Sequence, residues 1–300
     1  MKKFVLRFLV FIALLLLMTV PMSIWITNEH FYTYNKQSWI LSQEGRDLDF
    51  AVIGSSRVYY NVDINTIEQT LGSKGINLGT SGSNYAESYL LLKEFLKTNR
   101  LEKLLINCDE SALDALNRFG NYPFHLHEFL PQFEMEEHEE VFFDYLPPWK
   151  FYLWKSLPVA KYLEYNDRYT FFKYYNHNLD ISNGTLVDFN VEKGKMNKSE
   201  NTFAIASIDV KYLNRMLELC HANGISVLFI HTPLYVEVEE RASDYWLFMN
   251  QKIVGHYPFI DFKGIFDNSD LTLFSDYTHL NRKGSILYSK QLATALKEYW

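Results

Sequence analysis

Two stretches of the sequence bring together side chains able to do covalent chemistry. The first reads Ile53-Gly54-Ser55-Ser56-Arg57, an apolar run ending in a glycine and two hydroxyls. Gly54 permits a sharp turn, and residues just beyond it can present an exposed Oγ together with free backbone N–H groups, which is what a nucleophile needs. The second reads Phe274-Ser275-Asp276-Tyr277-Thr278-His279-Leu280-Asn281. On a loop, a carboxylate at the Asp276-x-x-His279 spacing can accept from the imidazole Nδ1–H, leaving Nε2 as a base for a serine brought from elsewhere. Each stretch also has a plainer reading. Two serines after a strand make a helix N-cap, and Asn281 ahead of Arg282-Lys283-Gly284 makes a helix start.

For these stretches to meet, one sheet must carry both on the same edge. From Asp49 onward, short apolar runs alternate with amphipathic stretches, the pattern of parallel strands joined by crossover helices. Strands are expected at Phe50–Gly54, Ile76–Leu78, Leu104–Asn107, Ser226–His231 and Phe259–Phe262. Helices are expected at Asn65–Leu71, about Tyr85–Thr98, Ile208–Ala222 (closed by Asn223-Gly224), about Val238–Val254 and Lys283–Tyr299. The fold class is therefore α/β, a three-layer α/β/α sandwich around a mostly parallel five-stranded sheet. Between about 111 and 206 the alternation gives way to a Tyr-, Phe- and Trp-rich stretch with acidic clusters, read as an insertion over the sheet's C-terminal edge. Both candidate stretches then lie at strand-to-helix junctions on one sheet edge.

At this point a family resemblance emerges. Gly54-Ser55-Ser56-Arg57, Asn77-Leu78-Gly79-Thr80-Ser81-Gly82 and Asp276-x-x-His279-Leu280-Asn281 resemble the first, second and fifth blocks of the SGNH (GDSL-like) hydrolase superfamily, in the same order. The resemblance covers roughly 49–110 and 207–300 and leaves the insertion unmatched. It implies a flavodoxin-like sandwich with Ser56 as nucleophile, Ser55 as the fallback, His279 as general base and Asp276 as its orienting partner. It also implies an oxyanion hole built from the N–H groups of Ser56 and Gly82. The third block departs from the family. Where Gly-x-Asn-Asp is usual, this chain has Asn107-Cys108-Asp109-Glu110. With Asp109 in the asparagine's place, an anion would face the oxyanion; in the other register, Asn107 supplies the donor.

The pattern most resembles membrane-attached SGNH-like proteins that accompany membrane-bound O-acyltransferases, including those of alginate O-acetylation and of D-alanine transfer to teichoic acid. That likeness implies transfer or hydrolysis of a small acyl group, O-acetyl above all, on a cell-surface or exported polysaccharide. Expected partners are the polysaccharide or its acyl donor and a membrane-bound O-acyltransferase, with no cofactor. A reading from another class is a catalytically inactive SGNH-fold subunit that binds glycan or assembles a polysaccharide-modification complex.

The remaining features set location and exclude classes. Residues 8–26 are almost uninterruptedly apolar, long enough to span a bilayer, with Lys2, Lys3 and Arg7 before them and Thr27-Asn28-Glu29 after. Residues 1–27 thus read as an uncleaved anchor with a cytoplasmic N-terminus, and 28–300 as an extracytoplasmic domain at the cell surface or in the periplasm. A net charge of −7 without a long basic run argues against nucleic acid. Cys108 and Cys220 have no zinc-type spacing and read as buried thiols. His125-x-His127-Glu128 and Glu136 to Glu140 around His138 read as solvated helix faces in preference to a metal site, and no metal is expected. His231 reads as an interior histidine, and Arg57 as a binder of an anionic sugar, a brace for the turn at Ser55-Ser56, or a surface ion pair. Asn183-Gly184-Thr185 and Asn197-Lys198-Ser199 match the glycosylation sequon.

Overall fold

The structure, a computed structural model, describes residues 2–25, 36–109, 138–157, 181–186, 207–236 and 243–300. In chain order these form helix α1 (Lys2–Trp25), α2 (Lys36–Leu41), strand β1 (Asp47–Ile53), α3 (Ser56–Asn61), α4 (Ile64–Leu71), β2 (Gly75–Asn77), α5 (Tyr85–Thr98) and β3 (Arg100–Asn107). They continue with α6 (Glu139–Phe143), α7 (Pro148–Ser156), β4 (Ile181–Ser182), β5 (Thr185–Leu186), α8 (Ser207–Ala222), β6 (Ser226–His231), α9 (Ser243–Lys252), β7 (Phe259–Asp261) and α10 (Arg282–Leu296). Two compact units emerge, one of residues 1–39 and 123–179 and one of residues 40–122 and 180–300.

The second unit is the expected sandwich. Its five strands run in the order β2-β1-β3-β6-β7, every pair parallel. Parallel pairs need crossovers, and helices then cover both faces, which demands strands that are apolar on both sides. Toward their carboxyl ends β1, β3 and β6 satisfy that demand: Phe50 to Ile53, Leu104 to Asn107 and Leu228 to His231 are all buried. Phe50, Val52, Leu105, Leu228, Ile230 and Ile260 share one core with Val58, Ile64, Ile67, Tyr288 and Leu292 of α3, α4 and α10. Alternation sends Ala51, Ile53, Leu104, Ile106 and Phe229, also buried, to the opposite face. On that side α5 packs against α8 and α8 against β6.

Strand limits differ from expectation mainly at the sheet's amino edge. β1 begins at Asp47 and β3 at Arg100, where the two strands already pair, although Asp47, Arg100 and Glu102 are exposed. An apolar run marks only the length of strand that the helices cover, so the ladder extends past it. Ser56–Asn61 is a helix although its residues carry no helical signal beyond the cap. A hairpin lies inside the stretch read as an insertion, yet it belongs to the α/β unit. β4 and β5 are joined by Asn183-Gly184, both at positive φ (48° and 86°), the backbone that a two-residue hairpin turn requires. Asn77 N–H donates to Asn183 O, so the turn hydrogen-bonds to the edge strand β2. The Asn183 amide donates to Glu68 Oε2 at 2.9 Å, so this sequon asparagine serves the fold; Asn197 lies outside the described residues.

In the first unit, α6 and α7 pack through Phe142, Phe143 and Phe151, with Trp154 buried. Helix α1 includes the segment Lys2–Pro21, with a mean hydropathy of 2.5, long and apolar enough to cross a membrane as an anchor or a signal sequence. Among the described residues no cluster of His, Cys, Asp and Glu suits a metal ion; His125, His127, Glu128, Glu136 and Glu137 lie outside them.

Candidate active site

In a doubly wound sheet the ligand crevice opens at the carboxyl ends of the strands where the winding reverses, here between β1 and β3. Gly54-Ser55-Ser56 leaves β1 at that point. A Cβ on Gly54 would stand 2.7 Å from Val58 Cγ2 and 2.9 Å from Asn107 Cβ, so only glycine lets helix α3 start so close to β3. Ser55 caps α3, its Oγ accepting from Arg57 N–H at 3.3 Å, and Ser56 is the first helical residue. The two serines therefore divide the readings that the sequence left open: Ser55 is the N-cap, and Ser56 is the hydroxyl directed at His279.

Ser56 Oγ lies 2.8 Å from His279 Nε2, and His279 Nδ1 lies 2.8 Å from Asp276 Oδ2. The loop that holds the histidine and aspartate is shaped from within. Asp276 Oδ1 accepts from the Thr278 and His279 backbone N–H groups, both at 2.8 Å, and from Thr278 Oγ1 at 3.0 Å. Phe274 and Leu280 bridge across its base, and Asn281 caps α10 immediately afterwards. Burial pushes the Asp276 carboxyl upward, but the hydrogen bond and charge of His279 and the two backbone N–H donors outweigh it and hold the pKa at about 2. The carboxylate is thus ionised across the neutral range and keeps Nδ1 as a donor, leaving Nε2 to accept from Ser56.

A depressed folded-state pKa contributes stability that is present above the unfolded value and lost as pH falls through the folded one. Asp276→Asn is therefore expected to melt below the wild type at pH 7, with the gap closing between about pH 4 and pH 2. Paired thermal melts across that window check it, and a gap independent of pH would contradict it.

The two backbone N–H groups expected to serve as oxyanion donors, those of Ser56 and Gly82, make no hydrogen bond among the described residues. As the first residue of α3, Ser56 has a backbone N–H with no intrahelical partner. Gly82 is exposed in the Thr80–Ser83 turn at φ +69°, a conformation side chains resist, and its N–H makes no hydrogen bond among the described residues. Ser81 Oγ donates to Tyr60 Oη at 3.2 Å, and the Tyr60 ring meets the His279 ring edge-on, centroids 5.3 Å apart. Burial raises the Tyr60 phenol, the Ser81 hydrogen bond lowers it, and the Asp276 charge raises it again, so it stays protonated at neutral pH. Tyr60 thereby touches both His279 and the loop of Gly82, contacts the sequence did not signal.

Asn107 is fully buried at the end of β3, where its Oδ1 accepts from Thr232 N–H at 3.0 Å and its Nδ2 has no hydrogen-bond partner among the described residues. Asp109 does not stand bare before Ser56. It is buried, accepts from Ser55 Oγ and pairs with Arg57 Nη1 at 3.6 Å. Arg57 also donates to Thr232 O, so this 4%-exposed arginine ties α3 to the ends of β3 and β6. Neither an anionic sugar nor a surface ion pair fits so buried a side chain, whereas bracing the turn at Ser55-Ser56 does. His231 is interior, 3.3 Å from Asp261 and packed on Phe262. Both cysteines are buried thiols outside any disulfide, and burial pushes the Cys220 thiol up to about 12, far from a reactive thiolate.

A family profile without a functional description matches residues 158–299. No curated protein matches the sequence. A solved structure of a candidate acylhydrolase from Bacteroides fragilis aligns over 91% of this chain and 97% of its own, at 12% identity and a TM-score of 0.39. A GDSL-like lipase from Bacteroides thetaiotaomicron aligns over 86% of this chain and 90% of its own, at 13% identity and a TM-score of 0.36. At that distance neither speaks to what this chain acts on.

Proposed function

We propose that the chain is a membrane-anchored, serine-dependent acyl-transfer enzyme of the SGNH type that moves or removes a small acyl group, O-acetyl above all, on a cell-surface or exported polysaccharide. The observation carrying this reading is the unbroken chain Ser56 Oγ, His279 Nε2, His279 Nδ1, Asp276 Oδ2, each link 2.8 Å long. In a polar pair alone a hydroxyl and an imidazole have many uses. With an ionised carboxylate behind the ring, and the helix-start N–H of the serine itself open, the set has what acyl transfer needs.

Ser56 Oγ attacks the carbonyl carbon of an acyl ester while His279 Nε2 takes its proton. The oxyanion is met by the N–H groups of Ser56 and Gly82. His279 returns the proton to the leaving oxygen, giving an acyl-Ser56 ester. Water or a sugar hydroxyl then loses its proton to Nε2 and attacks that ester, releasing acid or acylated sugar and restoring Ser56. The polysaccharide acceptor is supported by the sequence blocks shared with polysaccharide O-acetylation proteins. The anchor reading is supported by α1, with Lys2, Lys3 and Arg7 favouring a cytoplasmic N-terminus and an extracytoplasmic site.

The reading is tested with full-length protein in detergent, p-nitrophenyl acetate as donor and surface oligosaccharides as acceptors. Nitrophenol release accompanied by acetylated oligosaccharide in the mass spectrum is the expected result. Release no faster than that of Ser56→Ala would overturn it.

A further inference from the structure

Ser56 and His279 belong to segments more than 200 residues apart in sequence, yet their reacting atoms must stay within hydrogen-bond reach. The contacts inside 274–281 shape that loop but do not register it on the nucleophile helix. The registration comes from Asn61, the last residue of α3, which is wholly buried. Its Oδ1 accepts from Leu280 N–H at 2.8 Å, and its Nδ2 donates to Thr278 O at 3.2 Å and to Pro233 O at 3.5 Å. One amide therefore grips the backbone on both sides of His279.

The helix that carries Asn61 is itself fixed at both ends. Asn77 Nδ2 donates to Val58 O and Val62 O at its carboxyl end, and Arg57 binds Thr232 O at its start. Ser56 and Asn61 thus ride on one short, immobilised helix, and the base loop is clipped to its far end. We propose that Asn61 is a positioning residue that sets the distance between Ser56 Oγ and His279 Nε2. This rests on the reading of Ser56 and His279 as nucleophile and base.

Asn61→Ala cuts the clip while leaving the loop's own hydrogen bonds, including Asp276 to His279. The test measures, on full-length protein in detergent, the rate of Ser56 phosphonylation by a fluorophosphonate, kcat and KM for p-nitrophenyl acetate, and the downfield imidazole Nδ1 proton, assigned by its loss in His279→Gln. The expected result is a fall of about a hundredfold in phosphonylation and kcat, the scale of an ångström's misplacement, with KM and the Nδ1 proton retained. Unchanged reactivity overturns the proposal, and so does joint loss of reactivity and Nδ1 proton, which would make Asn61 a fold residue only. If Asn61→Ala does not fold, Asn61→Asp keeps the acceptor for Leu280 N–H but not the donor for Thr278 O, and a smaller loss with the same retained proton is expected. A wild type that the probe never labels overturns the nucleophile reading itself, whereas a reactive wild type matched by its Asn61 variants overturns only the clip.

Discussion

Ser56→Ala is expected to cost about 10⁶-fold in ester turnover, the scale of removing a serine nucleophile that works as a unit with its base. Ser55→Ala, one residue away, is expected to act on stability instead. Ser55 caps α3 and donates to the buried Asp109, so its loss removes a cap, worth about 1 kcal/mol, and leaves a buried carboxylate short of a donor, at about 1–3 kcal/mol more. Chemical denaturation and steady-state turnover of the two variants separate these effects. The expected pattern is a stable, inactive Ser56→Ala beside a destabilised, active Ser55→Ala. The reverse pattern would assign the chemistry to the wrong hydroxyl.

The next largest effect concerns His279. Its alanine variant is expected to lose as much as Ser56→Ala, and the double variant no more than either, because a serine without its base and a base without its serine are equally idle. What survives in all three is binding and the N–H groups at Ser56 and Gly82. Asp276→Asn is expected to cost about 10⁴-fold, since an amide can hold the imidazole in the wrong tautomer. Its bonds to Thr278 and His279 N–H call for an acceptor at Oδ1, which would aim an NH₂ at Nδ1. Kinetic constants for the three single variants and the double variant check the whole set. Additive losses in the double variant would mean that Ser56 and His279 do not act together.

How far the sequence carried this picture depended on where the deciding contacts lie. β6 and α5 were legible to the residue, because their signals are local: the Asn223-Gly224 stop just ahead of the strand, and leucines recurring at helical spacing along the helix. Helix α3 was not legible. Ser-Arg-Val-Tyr-Tyr-Asn is poor helix material, and six residues would not hold a helix alone. It is held by Asn77, which reaches its carbonyls from β2, and by its own Arg57, whose partner Thr232 lies 175 residues on. Asp109 was a puzzle in the sequence for the same reason. A carboxylate at the third block looks hostile to an oxyanion until its partners are seen, and a buried carboxylate needs such partners to exist at all. Asn61 gave no signal, since its bonds reach across 217 and 219 residues. The sandwich and the candidate triad were thus readable from short-range pattern and block order, while the parts that hold the triad in register were not.

The central claim is that Ser56 is the residue that carries the acyl group. Its most direct test is to treat the full-length chain in detergent with a fluorophosphonate, digest it and map the adduct by tandem mass spectrometry. A single modified serine at 56 is expected, with none in His279→Ala. An adduct on Ser55 or elsewhere, or no adduct in a folded and otherwise unaltered chain, would contradict it.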